Sequence, residues 1–300
     1  MKSSGNSNPP RLCVYTAMIG RYEPLNEQPV ARQSGLPFIC LTDDPDLRSD
    51  TWQIRMVSPK FGMDPIRSQR DFKLRPHLHL NDFDASLYID NSVILKQPPE
   101  KIFERHFPAS GVALPEHSYR ASVLDEFLQV ATSGLDDQAR VFEQLNHYMI
   151  DCADVLEERP YWAGILLRDH RSEQTRDAME IWYAHVMRYS RRDQLSVNAM
   201  FRRSKLVPDV MKIDNFSSWF HSWPHTEGRK RDSGRHTPMA ALSPPVARVK
   251  QLERELVELE RKHNEVVASR GWQTATAFHQ YAQRHPRIAR WAMRAFKLIS

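Results

Sequence analysis

The sequence predicts an α/β fold with a mainly parallel sheet covered by helices. Three observations carry that prediction. Short apolar runs rich in strand-forming residues alternate with stretches of helical spacing over the first two hundred or so residues, the pattern of strands joined by crossover helices. The runs end in polar residues, at Thr16, at Asp43-Asp44 and at Asp90-Asn91-Ser92. In open α/β sheets ligands gather outside the carboxyl ends of the strands, so three polar ends make one plausible site.

The elements follow in order. LCVYTAMIG (Leu12–Gly20) is a first strand ending at a glycine, PFICLTDDP (Pro37–Pro45) a second, and TWQIRMV (Thr51–Val57) alternates like a third. SQRDFKLRPHLHL (Ser68–Leu80) has helical spacing at Phe72, Leu74, Leu78 and Leu80, with a break expected at Pro76. SLYIDNSVILKQPP (Ser86–Pro99) reads as a buried strand with Asp90, Asn91 and Ser92 in its middle. An unpaired carboxylate there costs several kcal/mol, so either a turn exposes Asp90 or a partner such as a metal ion meets it. VALPEH (Val112–His117) is a short strand, followed by a helix through Ser122–Thr132. Leu135–Glu158 is helical, with Val141, Leu145, Tyr148, Met149, Cys152 and Val155 on one face. WAGILLRDH (Trp162–His170) is a strand. Helices then run from Glu173 to Tyr189 and over Ser190–Leu206, the latter with Leu195, Ala199 and Met200 inward.

Composition changes after residue 226. Residues 227–245 read as a linker. Over 246–269, Val249, Leu252, Leu256, Leu259, His263 and Val266 alternate at spacings of three and four, a coiled-coil seam that would make a homodimer; a single amphipathic helix is the plainer reading. Residues 270–300 contain no acidic residue and carry Arg270, Arg284, Arg287, Arg290, Arg294 and Lys297. A last helix from about His285 to Ile299 sets Ile288, Trp291, Ala292 and Ala295 beside these cations, as a peripheral contact with an anionic membrane requires. No nucleic-acid recognition motif accompanies the charge.

The chain is 41% hydrophobic and 26% charged with a net charge of +5, an ordinary globular composition. No run approaches the ~18 apolar residues of a membrane span. Residues 1–10 read as a disordered lead-in without the apolar stretch of a signal peptide. Cys13, Cys40 and Cys152 are odd in number and lack metal-ligand spacing. They read as small buried hydrophobes of a reducing compartment, hence a cytoplasmic protein at the inner membrane face.

Taken together, CVYTAMIGRYEPL, PFICLTDDP, RDFKLRPHL, SLYIDNSVIL, PEHSYRASVLDEF and RRDQLSVNAMF, in that order between Arg11 and His225, resemble a glycosyltransferase-like family once labelled a domain of unknown function. Its members include plant mucilage-related proteins and some named ceramidases; the pattern is more distantly similar to family 8 glycosyltransferases. The resemblance implies a GT-A-like, Rossmann-type mixed sheet flanked by helices over residues 11–226, with the helical tail appended. It implies transfer of a sugar from a nucleotide-sugar donor to a glycan or lipid-linked acceptor, a reaction suited to bacterial surface polysaccharide assembly.

Position by position, the resemblance implies that Thr16 and Ala17 line the nucleotide pocket, with Tyr22 stacking nearby. Asp43 or Asp44 lies near the base or ribose, and Arg70, Lys73 and Arg75 face the diphosphate. Asp90 binds a divalent cation, Mn²⁺ or Mg²⁺, with Ser92 as a weak ligand and His221 or His225 as the histidine. The missing second acidic residue at position 92 is a departure from the family 8 pattern. Asp193 and Gln194 flank the transferred sugar. Hard cations take carboxylate and phosphate oxygens and offset charge building on a leaving diphosphate. Glu116, His117 and Arg120 form a polar cluster for acceptor contact or proton transfer.

Two rivals stand beside this reading. A lipid hydrolase would require a Gly-x-Ser-x-Gly elbow or an HExxH motif, and neither is present; His77-Leu78-His79 has the wrong spacing. A degenerate transferase domain serving as a scaffold is the other.

Overall fold

The computed structural model describes residues 9–226 and 245–285. It divides between residues 244 and 245 into two compact units. The first holds β1 (Leu12–Met18), β2 (Phe38–Thr42), β3 (Gln53–Met56), α1 (Pro65–Leu74), α2 (Pro76–His79), β4 (Ala85–Ile89), β5 (Ile94–Leu95) and α3 (Pro99–His106). These are followed by β6 (Val112–Pro115), α4 (Val123–Thr132), α5 (Gln138–Asp151), α6 (Ala153–Glu157), β7 (Ile165–Asp169), α7 (Glu173–Arg188), a 3-10 turn (Asp193–Ser196), α8 (Val197–Ser204), β8 (Asp209–Met211) and β9 (His221–Ser222).

Seven strands form one mixed sheet in the order β3-β2-β1-β4-β7-β6-β8, and β5 pairs with β9 separately. Within the large sheet only β7 runs against its neighbours, pairing antiparallel with β4 and β6. The exits of β1, β2, β4, β6 and β8 therefore share one edge.

Successive residues of a strand face opposite sides, so strands covered on both sides read as continuous apolar runs. Tyr15, Ala17, Leu41, Tyr88 and Leu166 pack with Phe72 and Leu74 of α1 and with Met179 and Trp182 of α7. Val14, Cys40, Leu87, Ile89 and Leu167 face the other way, onto Trp52, Ile102, Phe103 and Phe220. A third cluster joins Phe127 and Val130 of α4 to Val141, Leu145 and Tyr148 of α5. The three cysteines are free and buried, and burial pushes the Cys40 thiol up to about 12.

Local chemistry sets the helix ends. Asp64 accepts from the Arg67 amide at 3.0 Å, with Pro65 opening α1. Ser122 and Asp125 form a reciprocal capping box on α4. Gly20 has φ +87°, and a Cβ there would come within 2.6 Å of Pro65, so a glycine lets the β1 exit lie against the start of α1.

Three expected elements divide further. The stretch from Ser86 to Leu95 is two strands, because the chain turns at Asp90-Asn91 and the Val93 amide bonds the Asp90 carbonyl at 2.9 Å. The helix expected over Leu135–Glu158 breaks at Cys152, and Met149 is exposed because the core face of α5 is already filled by Val141, Leu145 and Tyr148. The helix expected from Ser190 starts only at Val197, since residues 190–196 are held by Asp136, Gln144 and the 3-10 turn. The break at Pro76 is found between α1 and α2.

Among the described residues the second unit holds α9 (Pro245–Ala268) and α10 (Arg270–Arg284). Ser269 separates them, accepting from the Trp272 amide at 3.2 Å. Leu252, Leu256, Leu259 and Val266 are exposed along α9. The basic helix expected over His285–Ile299 lies outside the described residues beyond its first position. Among the described residues no helix is long and apolar enough to cross a membrane.

Candidate active site

The turn after β4 answers how Asp90 is tolerated. Its amide donates to the Gly164 carbonyl at 2.9 Å, which fixes the turn against the start of β7. Its Oδ1 accepts from the Tyr88 hydroxyl at 2.6 Å and from Lys73 Nζ at 3.2 Å. Tyr88 and Asp90 stand two residues apart, hence on one face, and that spacing is the signal in the sequence that could have found Tyr88.

Lys73 is the centre of the site. Its ammonium is almost fully buried and lies 2.7 Å from Asp193 Oδ2 as well as 3.2 Å from Asp90, and 4.9 Å from the Tyr88 ring centroid. Arg70, one turn earlier on α1, pairs with Asp193 Oδ1 at 3.1 Å. Burial by itself would raise the Asp193 carboxyl. Arg70 and Lys73 outweigh it and hold the group well below the usual carboxylate range. Arg70, despite its burial, is held firmly protonated by Asp193.

A hidden clamp positions Lys73. The buried Arg168 guanidinium of β7 donates to the Lys73 carbonyl at 2.7 Å and to the Tyr15 hydroxyl, and Tyr15 donates to the same carbonyl at 2.9 Å. These bonds satisfy a carbonyl at the end of α1, where the helix has no internal partner to offer. Gln69 donates to the Tyr88 hydroxyl at 3.1 Å and to the Ala17 carbonyl at 3.3 Å, joining α1 to two strands. Neither Arg168 nor Tyr15 carried a sequence signal beyond a strand composition.

The other expected residues distribute as follows. Thr16 and Ala17 lie inside β1 and are buried, so the strand does not end at them; its exit is Gly20-Arg21-Tyr22. The Tyr22 hydroxyl is turned toward Glu23, Arg70 and Asp90, and burial of that end pushes its pKa up. Asp43 accepts from the Gly20 amide at 3.0 Å, and Asp44 pairs with Arg21 at 3.0 Å, so the two acids tie the β1 and β2 exits together. Arg75 does not face the site. It pairs with Asp71 at 2.9 Å and Glu180 at 2.8 Å and lies over Tyr183, because α1 ends at Leu74 and turns it outward.

Gln194 spans a backbone gap, donating to the Tyr161 carbonyl at 2.5 Å and accepting from the Ala163 amide at 3.2 Å. Its amide therefore shapes the approach to β7. Glu116 is exposed at the β6 exit, while His117 is buried and lowered to about 4 by burial, then by Arg120 and Arg159. Arg120 pairs with Glu126 at 3.1 Å. Ser92 accepts from the Trp223 indole at 3.1 Å.

His221 cannot serve as the expected metal ligand. It is fully buried, and its two ring nitrogens contact the Asn215 carbonyl at 3.0 Å and the Ser218 hydroxyl at 2.7 Å. His225 is placed better. Its amide donates to the Ser92 carbonyl at 2.8 Å, which sets it beside the Asp90 turn, and its Nε2 contacts Ser222 at 2.9 Å. Among the described residues no three His, Cys, Asp or Glu side chains converge as a metal cage. The Asp90 Oδ2 oxygen makes no hydrogen bond to the described residues and is the group a hard cation would take.

Arg192 went unnoticed in the sequence. Its Nε is buried without a hydrogen-bond partner, and its charge acts on both Asp193 and Tyr119.

Comparison with known proteins follows from this geometry. No curated protein matches the sequence. Among solved structures, the WbbM bifunctional glycosyltransferase in its apo form aligns with a TM-score of 0.38 and 11% identity over 66% of this chain, which spans 39% of the length of that one. Mouse xyloside xylosyltransferase 1, also apo, aligns with a TM-score of 0.41 and 9% identity over 67% of this chain and 84% of its own. The family model of the TOD1/MUCI70 glycosyltransferase-like domain matches residues 42–219, more than half of the chain. The match covers β4, the Asp90 turn, α1 and the Asp193 turn, and the chain belongs to the TOD1/MUCI70 glycosyltransferase-like family.

Proposed function

We propose that this protein is a nucleotide-sugar-dependent hexosyltransferase acting on a glycan or lipid-linked acceptor. The observation that supports it most is one buried ammonium, Lys73, shared between Asp193 and Asp90 at the carboxyl edge of the sheet. Buried charges are costly unless paired, and this paired cluster lies at the carboxyl edge of the sheet and reaches solvent at Asp90, whose side chain is 37% exposed, which supports reading it as a site.

In this reading Asp90 Oδ2 and His225 would hold a divalent cation, which when bound supplies positive charge toward the departing diphosphate. Arg70 and Lys73 set the charge of the crevice and keep Asp193 ionised. Asp193, held far below its ordinary pKa and with its two oxygens engaged by Arg70 and Lys73, is a poor base and serves the site by fixing those two cations. Gln194 braces the backbone of Tyr161–Ala163 behind the sugar. If the configuration at the sugar inverts, the exposed Glu116 is the carboxylate free to accept the acceptor's proton. The test is a screen of UDP-, GDP-, dTDP- and CMP-sugars for released nucleotide. Release that requires Asp90 supports the transferase; silence with every donor removes it.

The second reading, a binding scaffold, is favoured by one fact: Asn91 is consumed by structure, bonding the Asn26 amide at 2.8 Å and the Pro24 carbonyl at 2.9 Å. Nucleotide binding without turnover would support it.

The appendage fits bacterial surface polysaccharide assembly at the inner membrane face. Its basic sequence suits anionic lipid, and the exposed leucines of α9 suit a homodimer. Liposome flotation of the intact chain against one ending at Pro244 tests the first; light scattering of the same pair tests the second. Equal flotation and equal mass per chain would remove both.

A further inference from the structure

We infer that Tyr119, Phe216 and Trp223 form the acceptor subsite, and that its occupant is a sugar ring. The inference rests on the transferase reading and adds what that reading leaves open, the chemical class of the acceptor.

Position is the first ground. β6 leads into Tyr119 and β8 into Phe216, and both strands exit on the same edge as β4. The Trp223 indole donates to Ser92 at 3.1 Å, so the aromatic surface begins where the Asp90 turn ends.

The second ground is shape. Tyr119 and Phe216 have ring centroids 5.1 Å apart and are tilted by 30°; Tyr119 and Trp223 are 6.5 Å apart and tilted by 16°; Phe216 and Trp223 are 5.5 Å apart and tilted by 39°. At these separations the rings overlap as an offset stack, with His117 against Tyr119 at 4.2 Å and the Arg120 guanidinium over it at 5.2 Å, and the exposed outer parts of Tyr119 and Phe216 form a rigid aromatic surface. Tyr119 is 42% exposed and Phe216 46%. Exposed aromatics that adjoin a polar site mark binding surfaces, and a pyranose offers the flat apolar C–H face that such rings cover.

The third ground is rigidity. Asn215 is fully buried and fastens the two loops that carry the rings. Its side chain accepts from the Ser118 amide at 2.7 Å and donates to the Glu116 carbonyl at 2.9 Å, and its own amide donates to the Ser118 hydroxyl at 3.2 Å. His221, ruled out as a metal ligand, contacts the Asn215 carbonyl and completes the brace. A platform held this way loses little freedom on binding.

Charge separates the two ligands. The aromatic surface carries one neutralised pair, Arg120 over Tyr119 at 5.2 Å with Glu126 at 3.1 Å, whereas the diphosphate belongs with Lys73 and Arg70. Beyond Tyr119 a groove of about 390 Å³ continues past Arg120, Asp125, Gln129 and Thr132, polar partners for a second sugar of the acceptor chain.

The experiment is saturation-transfer NMR of the full chain with neutral gluco-, xylo-, galacto- and manno-oligosaccharides, repeated with Tyr119→Ala, Phe216→Ala, Tyr119→Phe and Asp90→Asn. At least one oligosaccharide class should bind the native protein. Each alanine variant should weaken it about 3- to 10-fold, and Tyr119→Phe should restore most of it. Both alanine variants remove exposed rings, so melting temperatures should stay within a few degrees of native. Asp90→Asn should bind the oligosaccharide as the native protein does. Absence of any oligosaccharide signal in the native protein overturns the inference, as does a signal that both alanine variants leave unchanged. Displacement of the sugar by UMP or GMP overturns it too, because the rings would then hold a nucleobase. Sugar binding without any nucleotide-sugar binding would sink the transferase reading and leave the platform standing.

Discussion

The Asp90 turn has two sides of opposite construction. On the α1 side, Lys73, Arg70 and Asp193 are buried and each charge is met by another. On the β6–β8 side, Tyr119 and Phe216 are exposed and pack on one another and on Trp223, with His117 and the Arg120 guanidinium against Tyr119. Burying charge is tolerated when the geometry pairs it; leaving rings in water is tolerated when something else will cover them. The first side holds its order without a ligand, the second is completed by one.

The largest difference should appear in activity. Asp90→Asn removes a carboxylate that is 37% exposed in its side chain, so the fold should tolerate it, while sugar transfer should fall about 100-fold or more. Steady-state turnover on a donor that the native protein uses checks this, and a loss below tenfold would move the cation away from Asp90. Lys73→Met should act the other way round, on the fold as much as on turnover. It leaves Asp193 buried with one cation fewer, a loss of about 3–5 kcal/mol, read as a lower urea midpoint. An unchanged midpoint would mean that the cluster is not packed as described.

Acid should expose a further asymmetry. His117, His170 and His185 are each lowered to about 4, by burial first. The unfolded chain therefore binds more protons than the folded one between those values and the ordinary histidine value of about 6.5, and stability falls as pH drops through that window. Asp193, depressed by Arg70 and Lys73, contributes stability that persists above the ordinary carboxylate pKa and is lost only in stronger acid. Melting temperature should be flat from pH 8 to 7, fall between pH 6.5 and 4, and fall again below. A flat profile down to pH 4.5 would contradict the burial of the three histidines.

Smaller effects sharpen the boundary between the sides. Asn215→Ala unfastens two loops and should cost about 1–3 kcal/mol in chemical denaturation. Arg75→Ala removes a cation from the largely buried Asp71 and from Glu180 and should cost about 1–3 kcal/mol while leaving turnover intact. Comparable loss of turnover in Arg75→Ala and Lys73→Ala would erase the distinction between the cations that face the crevice and the one that does not.

Much of the first side was legible in the sequence. Apolar runs set the strands, Pro76 broke the helix, and Asp90 stood out as a carboxylate inside an apolar run, whereas Arg70, Lys73 and Asp193 came from the family resemblance. Arg75 misled because helical spacing says nothing of where a helix stops. Thr16 and Ala17 misled because a strand's last residue is set by the partner it pairs with, here β2 as far as Thr42. Arg168, Tyr15 and Asn215 left no trace, since each acts through contacts to distant backbone, across 95 positions for Arg168 with Lys73 and 97 for Asn215 with Ser118. The aromatic platform was invisible for the same reason: Tyr119 and Phe216 meet only after β6 and β8 pair.

The most direct test of the account is calorimetric titration of UDP- and GDP-sugars into the native chain and Asp90→Asn, each with and without Mn²⁺. The account predicts that one donor binds the native chain, more tightly with Mn²⁺, and that the gain from Mn²⁺ disappears in Asp90→Asn. Equal binding by the two proteins, or none by either, would contradict it.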